Sequence, residues 1–89
     1  MADINVQPKD EETFEVTVHD ATTTLHTVKL TKDYYMQLTG GKIPPEMLIQ
    51  RSFDFLLERE KNTMILRRFD LPIIGQYFPE YEKTIMSGL

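Results

Sequence analysis

At 89 residues, with 40% hydrophobic and 27% charged side chains, the chain is long enough for one modest core and too apolar for a disordered tail. It has no cysteine, which excludes a disulfide framework and thiolate chemistry and fits an intracellular, cytoplasmic location. A net charge of -4 and a pI near 5.0 work against non-specific attraction to nucleic acid or to an anionic membrane.

Residues 1–12 are polar, carry Pro8 ahead of a Lys-Asp-Glu-Glu run, and show no apolar period, so they read as a flexible N-terminal arm. They lack the basic and apolar regions of a signal peptide, and no apolar run approaches the roughly 20 residues that span a bilayer. A single α+β domain is expected over residues 13–89, with the pattern of an N-terminal β-hairpin, a short helix, a long central amphipathic helix and a helical C-terminal wrap.

Phe14, Val16 and Val18 alternate with Glu15, Thr17 and His19, which predicts a strand with one buried face. A turn around Asp20 to Thr24 leads to a second strand, Leu25 to Leu30, in which Val28 and Leu30 share a phase. For Val16 and Val28 to face the same side, the loop must hold an odd number of residues, most simply three. A two-residue loop at Thr22-Thr23 would set His19 opposite His26 and turn the two apolar sets apart. The three-residue register instead puts His26 on the buried phase and His19 on the outer one.

Thr31 is placed to cap a short helix through Tyr34, Tyr35 and Leu38, with Asp33 in its first turn and Gly40-Gly41 at its end. Pro45 to Glu60 is the predicted central helix, with proline at its first position. At 100° per residue, Gln50, Arg51, Asp54 and Glu58 form one polar strip, and Leu48, Ile49, Phe53, Phe55, Leu56 and Leu57 cover roughly 200° of the rest. So wide an apolar arc requires cover on two sides, by the sheet and by the C-terminal segment. Beyond it, Met64 to Phe69 reads as one or two helical turns, Asp70 as the cap of a short helix that Pro79 closes, and Glu80 to Met86 as a final turn or two.

The candidate sites each have a plain structural alternative. Gly40-Gly41-Lys42 stands ahead of a helix as a phosphate loop would, but Pro44 and Pro45 remove amides there and Glu46 adds negative charge, so a turn is expected. His19 and His26 fall on opposite hairpin faces and cannot share a metal, and Ser52 and Ser87 have no histidine at local spacing. Asp54 and Glu58, one turn apart, have the spacing of an acid/base pair or of a solvated strip. No triad, metal set or cofactor loop emerges, and the chain is expected to be non-enzymatic, without cofactor or metal. Arg67 and Arg68 beside Phe69 read either as an anion- or partner-binding spot or as surface ion pairs. Tyr77, Phe78 and Tyr81, in a tail broken by Pro72 and Pro79, read either as core over the central helix or as contacts to a partner. A homodimer would satisfy both.

Two resemblances carry further expectations. From Val28 to Glu58, an alternating strand (Thr27-Val28-Lys29-Leu30), a Thr-capped helix, a glycine turn and a second helix opening Glu46-Met47-Leu48-Ile49 resemble ribbon-helix-helix DNA-binding proteins. That resemblance implies a transcription regulator or antitoxin whose strands pair across a two-fold axis, with Thr27 and Lys29 reading bases. From His26 to Tyr81, the Tyr-Tyr, Leu-Thr-Gly-Gly, Arg-Ser-Phe, Phe-Leu-Leu-Glu-Arg-Glu, Phe-Asp-Leu and Tyr-Phe-Pro-Glu-Tyr stretches resemble a family of small uncharacterised bacterial proteins. This second resemblance implies common origin and no particular activity. The leading expectation is a self-associating protein-interaction module, whose partner is a second copy or another protein.

Overall fold

Valine and phenylalanine on alternate positions build the centre of the sheet: β2 (Thr13–His19) buries Phe14, Val16 and Val18, and β3 (Thr23–Lys29) buries Thr24, His26 and Val28. The computed structural model describes residues 3–89. In it β2 and β3 pair antiparallel, with Phe14 opposite Val28, Val16 opposite His26 and His19 opposite Thr23. Asp20, Ala21 and Thr22 form the odd-length loop that the hydrophobic phases require, and His26 is buried while His19 is exposed.

The expected N-terminal arm is instead a strand. β1 (Asp3–Pro8) pairs antiparallel with β2, Val6 opposite Val16, and half-buries Ile4 and Val6 on the inner face. An edge strand needs only this short inward row, too little to register as a period in a polar segment. Met1 and Ala2, the start of the predicted arm, lie outside the described residues.

α1 (Lys32–Thr39) begins where Thr31 Oγ1 accepts the Tyr34 amide at 3.2 Å. It ends at Gly40, whose left-handed φ of 60° suits a residue without Cβ. α2 (Pro45–Leu57) stops short of the predicted Glu60, because the Arg59 and Glu60 amides both converge on Leu56 O at 2.9 Å and tighten the last turn. Its wide apolar arc is covered on two sides. Phe53 meets His26 and Phe69 on the sheet side, at ring-centroid distances of 5.3 and 6.1 Å. Phe55 meets Tyr81 on the other at 5.2 Å.

The segment expected to make helical turns after α2 is a 3-10 turn at Asn62–Met64 followed by β4 (Arg68–Asp70), parallel to β3 at the sheet edge. The backbone of β3 needed a partner on its open side, and this extended segment supplies it: Thr27 N–H donates to Arg67 O at 2.7 Å. Asp70 is therefore a strand residue and caps no helix. α3 (Ile73–Tyr77) follows Pro72, and α4 (Tyr81–Ser87) packs against α1, α2 and α3. The result is a mixed four-stranded sheet in the order β1-β2-β3-β4, its inner face under the helices and its outer face open. None of the helices among the described residues is long and apolar enough to cross a membrane.

Candidate functional site

Where α2 ends, the chain must cross back to the sheet, and a buried polar clamp fixes how. His26 sits between Leu66 O, 2.8 Å from Nδ1, and Thr24 Oγ1, 2.9 Å from Nε2. Asn62 Nδ2 donates to Thr22 O at 2.7 Å and to Thr24 Oγ1 at 3.0 Å. A neutral ring with its proton on Nδ1 donates to Leu66 O and accepts from the Thr24 hydroxyl, which satisfies every group. Burial pushes the His26 pKa below its ordinary value, with Arg67 adding to the shift and the Leu66 carbonyl opposing it.

The clamp ties the 62–66 segment to β3 and the loop before it, and an apolar groove of about 380 Å³ lies between α2, that segment, β4 and α3. Leu56, Ile65, Phe69 and Ile74 form its buried floor. At the rim stand Met64, Leu66 and Tyr77, which are 69%, 48% and 66% exposed. Arg59 braces the base of α2: its guanidinium lies 3.5 Å from the Phe55 ring centroid, donates to Phe55 O, and pairs with Glu80 at 3.3 Å. Phe78 is half-buried in the groove wall and meets Phe55 edge-on at 5.9 Å.

The predicted partner residues separate accordingly. Tyr77 is on the groove rim and Phe78 in its wall, but Tyr81 is fully buried. Its expected role at a partner surface is overturned, because its hydroxyl lies 2.6 Å from Ser52 Oγ in the core. Arg67, at a bend, and Arg68, the first residue of β4, are both exposed, and neither takes part in an ion pair among the described residues. Leu56, Met64, Leu66 and Ile73 also line the groove and were missed. One signal was present in Ile65-Leu66: in extended backbone only one of two adjacent apolar residues can turn inward.

Thr27 and Lys29 do share the outer sheet face, but β3 is an interior strand whose edges are taken by β2 and β4. It offers no free edge for a ribbon across a two-fold axis, and Glu15 stands opposite Thr27 and Asp70 beside Lys29. The glycine turn is a helix cap: the Gly40 amide donates to Met36 O, Gly41 to Thr39 Oγ1 and Lys42 to Thr39 O, which leaves these amides committed. Asp54 and Glu58 flank a smaller groove of about 190 Å³, and burial and the neighbouring Glu58 raise the Asp54 pKa. Among the described residues no group of three His, Asp or Glu side chains is placed to hold a metal. The chain matches no protein-family model, no curated protein and no solved structure.

Proposed function

We propose that the protein is a non-enzymatic interaction module that receives apolar side chains of another polypeptide in the groove between α2, β4 and α3. The observation that supports this reading is the exposure of Met64, Leu66 and Tyr77 around a braced apolar floor. Large side chains left in water around a concave apolar surface mark contact sites rather than core.

The test is selection of peptides from a random library against the folded protein, followed by mapping of bound peptide through amide chemical shifts. Shifts should centre on residues 64–78, and Leu66→Glu should weaken binding at least about tenfold through the lost apolar contact and a desolvated charge. Ligands that map elsewhere and ignore Leu66→Glu would overturn the assignment.

A further inference from the structure

The groove borders the free edge of β4, and that edge has a symmetry which identifies its occupant. Thr27 N–H donates to Arg67 O at 2.7 Å and Leu71 N–H to Lys29 O at 2.9 Å. With the parallel register of Val28 beside Phe69, the backbone groups of Phe69 face β3, and those of Arg68 and Asp70 face outward. Arg68 and Asp70 are exposed on the outer sheet face, and neither takes part in an ion pair among the described residues. Lys29 lies beside Asp70 in the register without pairing to it.

We propose that a second copy of this chain docks here, β4 against β4, antiparallel about a two-fold axis through Phe69. The triplet Arg68-Phe69-Asp70 is antisymmetric in charge about its centre. An antiparallel two-fold pairing therefore sets Arg68 opposite Asp70 of the second copy, and Asp70 opposite Arg68 of the second copy. These are the residues whose N–H and C=O groups point outward, so each opposed pair exchanges both backbone bonds and aligns opposite charges. A parallel pairing would lose the two-fold symmetry and, in register, oppose like charges. β1 also has a free edge, but Pro8 lacks an N–H, its row Asp3-Ile4-Asn5-Val6-Gln7-Pro8 carries no such complementarity, and it lies away from the groove.

Strands of this length bury less than the roughly 1,200 Å² of a stable complex, so the adjoining rim side chains must contribute and a weak, concentration-dependent association is expected. The pairing is isologous and closes at two chains. It rests on the groove being a polypeptide-binding surface, of which it names one occupant.

The experiment is sedimentation equilibrium of the full chain up to about 1 mM, with Arg68→Asp, Asp70→Arg and the double swap, each checked for fold by circular dichroism. Each single variant juxtaposes like charges twice and should weaken association at least about tenfold. The double variant restores opposite charges in the same register and should recover wild-type association. A wild type that stays monomeric, single variants that associate normally, or a double swap no better than the singles each overturn the proposal. If wild type is monomeric yet library peptides still bind in the groove, the second copy fails as occupant while the interaction module stands.

Discussion

Ser52 has one hydroxyl proton and two buried neighbours, which decides the polarity of the contact between α2 and α4. Its Oγ donates to Leu48 O at 2.8 Å, so the Tyr81 hydroxyl donates to Ser52 Oγ at 2.6 Å. Tyr81→Phe removes one hydrogen bond and leaves Ser52 satisfied, at a cost of about 1 kcal/mol. Ser52→Ala orphans a buried phenol and should cost about 1–3 kcal/mol, partly offset by about 0.5 kcal/mol of helix propensity. Urea unfolding of the two variants should show Ser52→Ala as the more destabilised. His26 makes the second prediction at this scale. Its pKa is lower folded than unfolded, so the unfolded chain binds the extra proton first as pH falls. The clamp's contribution is fully present above the unfolded value of about 6.5 and is lost as pH drops through that value toward the folded one. Urea midpoints should fall between pH 7.5 and 5.5 in wild type. His26→Gln should flatten that slope; an unchanged slope would place the titration elsewhere.

At the scale of elements, β1 is the clearest departure from the sequence reading. If residues 3–8 were a loose arm, deleting residues 1–8 would leave stability unchanged. Because Ile4 and Val6 are half-buried and β1 pairs along β2, the deletion should cost about 2–3 kcal/mol and expose the β2 edge. The check is the urea midpoint of the truncated chain, with light scattering for edge-driven aggregation. The phases of Phe14, Val16, Val18 and Val28 made the β2–β3 register legible, because a one-residue slip would have turned one apolar set to water. Thr31 and Gly40 marked α1 for equally local reasons. β4 was not legible. Three residues carry no period, and their partner β3 is about 40 positions earlier in sequence, as the His26 to Leu66 bond shows. The helical pattern of Ile65, Leu66 and Phe69 yielded to the open edge of β3, an override that no local propensity contains.

For the molecule as a whole, a radius of gyration of 12.0 Å matches the roughly 12 Å of a compact domain this long, so the groove is not left by a detached tail. Sequence reading found Tyr77 and Phe78 in the aromatic tail but could not separate them from Tyr81, since that depended on which way α4 turns over α2. The apolar surface that remains, joined to a free strand edge, links stability to concentration. If two chains pair through β4, folding is favoured by mass action, and above the dissociation constant each tenfold rise in concentration adds about 0.7 kcal/mol per chain. For a domain of this size that corresponds to a Tm increase of about 3–5 °C. Calorimetric scans at about 10, 100 and 1,000 µM should therefore climb in wild type and in the Arg68→Asp/Asp70→Arg double variant, while Arg68→Asp alone begins to climb only at an at least about tenfold higher concentration. The charges are exposed, so the single substitution leaves the monomer's core intact, and a delayed rise in that variant reports the weakened pairing rather than a weakened fold.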